Sequence, residues 1–218
     1  MQDDGKILVS GQTQEKSWNG FYGGGQDQDI ALLRYTTNGE LDESFGSNGQ
    51  IVTNIRNRDA ANDIAVLQDG TIILVGTSAS PIQEVTLVAY SEGGGLDTSF
   101  GVGGSAITPI IGSYNADTEG THILVQDDGK LVVGGYFHDA GDRYVLVRYL
   151  ADGSIDSSFA RGGVFTELGV DGRVSGLSQD SDGRVIVALR NGKLIRHNVN
   201  GSLDSRFDNF GEINGEIK

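Results

Sequence analysis

The sequence predicts an all-β chain: a β-propeller built from four repeats of about 55 residues, each a four-stranded antiparallel blade except the first, which lacks its innermost strand. Three observations predict it. One motif returns four times at a constant internal spacing, an Asp-Gly turn recurs between its copies, and the segments separating them are short runs rich in Val, Ile and Leu.

The motif first reads Tyr35-(x)3-Gly39-x-Leu41-Asp42-x-Ser44-Phe45. It returns as Tyr90…Gly94…Leu96-Asp97-x-Ser99-Phe100, as Tyr149…Gly153…Ile155-Asp156-x-Ser158-Phe159, and as His197…Gly201…Leu203-Asp204-x-Arg206-Phe207. A further glycine trails each Phe, at Gly49, Gly104, Gly163 and Gly211. Interleaved with these lie Asp4-Gly5, Asp69-Gly70, Asp128-Gly129 and Asp182-Gly183. Together with Asn38-Gly39, Asp152-Gly153 and Asn200-Gly201, these dipeptides predict tight hairpins in which both central residues have positive φ.

Between the turns, strand a is read at Ile64-Ala65-Val66 and Ile123-Leu124-Val125, strand b at Ile72 to Val75 and Leu131-Val132-Val133, and strand c at Ile30 to Leu33 and Val145-Leu146-Val147. A short strand d follows each Phe. Strands b and c lack polar alternation, so both faces of each small sheet must be covered, which neighbouring sheets packed face to face would do. The four Phe residues are expected as core wedges between blades. The repeats run approximately over 1–62, 63–121, 122–175 and 176–218 of a single array. The chain opens at the a–b turn of the first copy, so the expectation is either part of a larger propeller or half of a ring completed by a second copy, a homodimer.

These motifs resemble those of bacterial delta-60 repeat β-propellers, whose unit is similar to Q-x-D-G-K-I-L-V-x-G followed by A-L-x-R-Y-x-x-x-G-x-L-D-x-S-F-G. The chain departs from that unit in lacking a proline before Asp-Gly, in its long first-repeat insertion, and at Ala188-Leu189, which replace the terminal glycine of strand b. The resemblance implies a module of a secreted or cell-surface bacterial protein and brings no established catalytic residue with it.

Composition narrows the functional classes. Sixteen basic against thirty acidic residues give a net charge of −14, which repels phosphate backbones and anionic lipid, so nucleic acid is not an expected partner. No apolar run reaches membrane-spanning length, and the first residues show no basic region followed by an apolar stretch, so neither membrane insertion nor a signal peptide in this chain is expected. Without cysteine there is no thiolate chemistry. The sequence holds no G-x-S-x-G, phosphate loop, H-E-x-x-H or dinucleotide fingerprint. No cofactor is expected. Calcium is the one cation considered, at Asp3-Asp4 or Asp180-Ser181-Asp182, whose spacing departs from the calcium-loop pattern.

In such a blade the a–b and c–d turns share one end and the b–c and d–a loops the other. The c–d hairpins keep one length, whereas the b–c loops are read as about 17, 7, 7 and 1 residues. Variation at one end marks it as the candidate ligand surface. The largest loop, residues 12–28, carries Trp18, Phe21 and Tyr22, which could stack on a sugar or peptide or fold back over a blade edge. His138 falls in the third b–c loop, His122 starts a strand a near the central funnel, and Asp59, Asp117, Glu119, Asp171 and Arg173 are placed around the funnel mouth. The repeated Asp42, Asp97, Asp156 and Asp204 are read instead as turn formers that accept backbone N–H groups.

Two functions follow. The first is a non-catalytic binding or scaffold module that recognises a glycan or protein ligand on the b–c/d–a face. The alternative is a glycan-processing hydrolase or lyase that uses carboxylates at a central funnel.

Overall fold

A computed structural model describes residues 1–13, 28–79, 81–110, 117–138, 141–207 and 212–214, with backbone alone at 167–171 and 212–214. Every regular element among them is a strand, and the strands form four open antiparallel sheets, three of four strands and one of three. The chain divides into two compact units, Met1–Thr108 and Pro109–Lys218.

In the first unit, β1 (Ile7–Gln12), β2 (Ile30–Tyr35) and β3 (Gln50–Thr53) make a three-stranded meander. It is followed by β4 (Arg58–Val66), β5 (Ile72–Ala79), β6 (Gln83–Tyr90) and β7 (Ser105–Thr108), also in sequential order. The first sheet thus carries the strands read as b, c and d. In the second unit, β8 (Thr118–Val125), β9 (Leu131–His138), β10 (Asp142–Tyr149) and β11 (Val164–Asp171) form one meander, and β12 (Val174–Gln179), β13 (Val185–Leu189), β14 (Lys193–His197) and β15 (Glu212–Asn214) the next.

Each unit is built by packing its two sheets face to face. In the first, Ile30, Leu32 and Phe45 meet Ile72, Leu74, Val88 and Tyr90. In the second, Val132, Tyr144, Leu146 and Phe159 meet Val174, Val185, Val187, Leu189 and Ile195. Burying aliphatic and aromatic side chains of this size stabilises by about 1.5–3 kcal/mol each. β5 is buried along its whole length, as the unalternating run Ile72 to Val75 requires. Of the expected Phe wedges, Phe45, Phe100 and Phe159 are buried, but Phe207 is only half-buried.

The turns differ from the expected type. Gly70 has φ 85°, Gly129 80°, Gly39 84° and Gly153 82°, yet the only non-glycine residues with positive φ among those described are Asn48 and Ala160. The preceding Asp or Asn therefore stays in the right-handed region. Gly70 N–H donates to the Leu67 carbonyl (3.0 Å), and Leu67 N–H to that of Thr71 (2.8 Å). This is a three-residue loop, in which a type I turn is closed by a left-handed glycine. Asp69 Oδ1 accepts from Thr71 N–H (2.9 Å), so its side chain acts as a turn acceptor and not as a second positive-φ residue.

The strands also run further than the apolar runs suggest. The connections β5–β6 and β9–β10 each span three residues, not about seven, because polar residues such as Thr77, Ser78, His138 and Asp142 extend the ladders. The repeat boundaries placed before 63, 122 and 176 fall inside β4, β8 and β12. Each lies next to a register shift, between Ala61 and Asp63, Gly120 and His122, and Val174 and Gly176. An extra residue bulges there and breaks the pattern read from the sequence.

Gly76 and Gly135 oppose two of these bulges. A Cβ on Gly76 would lie 1.8 Å from the Ala60 carbonyl oxygen, and one on Gly135 equally close to that of Glu119. In the fourth sheet the equivalent pair is Val174 with Leu189, where β12 begins, so a side chain is accommodated.

A candidate ligand groove at the loop end of the third sheet

The motif residues build a structural cluster. Asp42 Oδ1 accepts from Ser44 Oγ (2.6 Å) and N–H (3.2 Å), while Oδ2 accepts from Arg34 Nε (2.8 Å). Asp156 repeats this with Ser158 and Arg148, and Asp204 with Arg206 N–H and Arg196. Each guanidinium lies over the motif Phe, at 4.3 Å for Arg34 on Phe45 and 4.5 Å for Arg148 on Phe159. The Ser44 hydroxyl first, with Lys6 and Arg34, holds the Asp42 carboxyl far below the ordinary range. The repeated aspartates are thus turn formers with arginine partners. The signal for those partners was present, since Arg34, Arg148 and Arg196 each stand eight residues before the Asp. Asp97 lacks one because Ala89 occupies that position.

A second network stands at the loop end of the third sheet. β8 and β9 bring Glu119 opposite Tyr136, and Tyr136 Oη donates to Glu119 Oε2 at 2.5 Å. The β9–β10 hairpin brings His138 opposite Asp142, with Nδ1 2.8 Å from Oδ1. Arg173, between β11 and β12, donates from Nε to Asp142 Oδ2 (2.6 Å) and lies over the Tyr136 ring at 4.0 Å. Burial first, then the Glu119 carboxylate, pushes the Tyr136 phenol up to about 12. Asp142 is held below the usual carboxylate range by Arg173 and next by His138. An open groove of about 520 Å³ adjoins the network, lined by Gly141, Asp142, Gly172, Arg173, Arg190 and Asn191.

Of the residues singled out in the sequence, Glu119, His138 and Arg173 meet here. Tyr136, Asp142, Arg190 and Asn191 were missed. Tyr136 looks like one more strand residue, and Asp142 takes its role only through a hairpin register that its flanking glycine obscured. His122 stands apart, with Nδ1 2.9 Å from Thr121 Oγ1 next to the bulge. Asp59, in the first unit, is fully buried and braces its own loop. It accepts from Ile55 N–H (2.6 Å), Arg56 N–H (2.9 Å) and Ser78 Oγ (2.5 Å), so it is a structural carboxylate that offers a ligand no surface. Trp18, Phe21 and Tyr22 lie outside the described residues. Among the described residues, no three His, Asp or Glu side chains converge to hold a metal ion. Asp4 is engaged by Lys6, and Asp180 by Arg184.

Four small antiparallel meanders linked in sequence are consistent with a β-propeller. The profile of a family described as domain of unknown function (DUF5122) beta-propeller matches residues 2–45 and 126–159. Each matched stretch runs from an a–b turn to a motif Phe. None of the curated proteins matches the chain.

Proposed function

We propose that the chain is a non-catalytic β-propeller binding module of a secreted or cell-surface bacterial protein. Its four sheets are four successive delta-60-type blades, and its ligand, a glycan or protein, docks at the b–c/d–a loop end. The observation that carries this reading is Arg173, laid flat on Tyr136 and tethered through Nε to Asp142 at the edge of a groove. Such preorganisation lowers the entropy lost on binding. Arg34 and Arg148 are held in the same way but spend Nη1 on the Glu92 and Val199 carbonyls, whereas Arg173 lines a groove.

The carboxylates nearby favour binding over catalysis. Glu119 accepts from Tyr136, and Asp142 is engaged by both Arg173 and His138, so neither is poised as the proton donor that glycoside hydrolysis needs. A phenol with its pKa pushed up to about 12 is also a poor general base at neutral pH.

Glycan and peptide arrays probed with the chain, followed by product analysis on every hit, test the proposal. The expected result is binding without turnover, lost in Arg173→Gln. Turnover of a bound glycan, abolished in Glu119→Gln, would favour the hydrolase or lyase alternative. Pairing of two chains belongs to the same proposal. Among the described residues β1 is hydrogen-bonded on one side only, and Ile7 and Val9 on it are exposed. Light scattering is expected to report twice the 23.1 kDa chain mass.

A further inference from the structure

The groove has an unusual charge make-up for a chain of net charge −14, because two of its six lining residues are arginines. Arg190 N–H donates to the Arg173 carbonyl at 2.9 Å, one step beyond the paired Val174 and Leu189, so the two residues are cross-strand neighbours. Arg173 uses Nε for Asp142 and its flat face for Tyr136, and among the described residues its two Nη groups make no hydrogen bond. Arg190 is exposed, and its guanidinium has no partner among the described residues. Two guanidinium forks therefore line one open groove, the first held in place by packing and a tether.

We infer that this groove binds a carboxylate, and that the carboxylate is that of a uronate residue in an acidic glycan. A planar carboxylate fits the paired N–H groups of a guanidinium edge, and a fixed fork loses little freedom on engaging it. Among the lining residues Arg173 and Arg190 stand against the single carboxylate of Asp142, which leaves a formal charge of +1. That charge suits one delocalised negative charge and leaves a phosphate dianion only partly neutralised. A uronate holds its carboxylate directly on a rigid ring, whereas an Asp or Glu side chain must freeze several rotors to present one. Gly141 and Gly172 leave backbone uncovered along the groove, and Asn191 adds an amide, groups suited to the hydroxyls beside a sugar carboxylate.

This inference rests on the binding-module reading, and the experiment separates the two. The wild-type chain is titrated calorimetrically with trimers of galacturonate, glucuronate and mannuronate, with their methyl esters, with inorganic phosphate and with an acetylated triglutamate peptide. At least one uronate trimer is expected to saturate a single site, and its ester to bind at least tenfold more weakly. Arg173→Gln and Arg190→Gln are each expected to weaken the uronate at least tenfold. Arg190 is exposed and its side chain makes no hydrogen bond or ion pair among the described residues, so Arg190→Gln remains informative if Arg173→Gln fails to fold. The inference is overturned if no uronate trimer binds, if the ester binds as well as the acid, if Arg190→Gln leaves affinity unchanged, or if phosphate or the peptide binds better. A neutral array ligand that depends on Arg173 would overturn it while leaving the binding-module reading intact.

Discussion

Arg148 donates from Nη1 to the carbonyl of Val199 at 2.6 Å, carrying a hydrogen bond from the third sheet to the c–d turn of the fourth. Its Nε holds Asp156, and its guanidinium covers Phe159. Arg34 does the same in the first unit, with Nη1 on the Glu92 carbonyl at 2.6 Å. One side chain thus fixes its own turn, shields its own wedge and joins the next sheet.

Arg148→Met keeps most of the aliphatic packing but leaves the carboxylate of Asp156 buried without its cation. The expected loss is about 3 kcal/mol in urea denaturation, with much of it recovered in the Arg148→Met/Asp156→Asn double variant. Additive losses in that cycle would show that the pair is not coupled.

Phe159 and Gly201 form the other half of this joint. A Cβ on Gly201 would lie 2.9 Å from the Phe159 ring and 2.6 Å from the Ala160 nitrogen, whereas one on Gly39 would meet nothing within 4 Å. Both glycines have positive φ, 82° and 84°. Gly39→Ala is therefore expected to cost about 1 kcal/mol, the left-handed penalty alone, and Gly201→Ala several times that. Phe159→Ala should cost about 3–5 kcal/mol. Thermal melts of the three variants check the order.

Ala160 sits at φ 48° where the first and second repeats place Gly46 and Gly101, both also at positive φ. Its N–H donates to the Asn200 carbonyl at 2.7 Å, which holds it in that conformation. Ala160→Gly relieves the strain, so its melting temperature should equal or exceed that of the parent chain, against the usual direction of Ala→Gly. A clear fall would contradict this.

His197 stands where the other repeats carry tyrosine, fully buried. The Gly201 carbonyl can only accept, so Nδ1 (3.0 Å) carries the proton and Nε2 accepts from Tyr144 Oη (3.2 Å). Burial pushes the imidazole down to about 4. The unfolded chain takes up this proton near the ordinary value of about 6.5 while the folded chain resists it, so the contribution is complete above that pH. It is lost as pH falls from about 6.5 to 4, by up to about 3 kcal/mol. Urea midpoints across this window should fall in the parent and stay flatter in His197→Tyr.

What the sequence determined by itself was local and periodic. The order of strands and turns, the hairpin glycines, the wedge at Phe45, Phe100 and Phe159 and the turn role of the repeated aspartates were legible because each depends on residues a few positions apart, repeated often enough to exclude chance. The loop end was marked as variable from b–c lengths of about 7, 7 and 1 that the structure levels to three residues each at β5–β6, β9–β10 and β13–β14. The hairpin type was misjudged because Asp and Asn can form a turn either through a left-handed backbone or through the side chain, and only the ladder decides between them.

Tertiary structure decided everything that depends on register and on distant segments. A bulge at Thr121 determines that Glu119 meets Tyr136, and the close packing of Gly135 against the Glu119 carbonyl holds that register. Arg173 reaches Tyr136 across 37 positions of chain, and Arg190 joins it only because β12 pairs with β13. Strand pairing turns such separations into contact distances, and a one-residue slip would send each of these side chains to the opposite face, so no local pattern could have announced the groove.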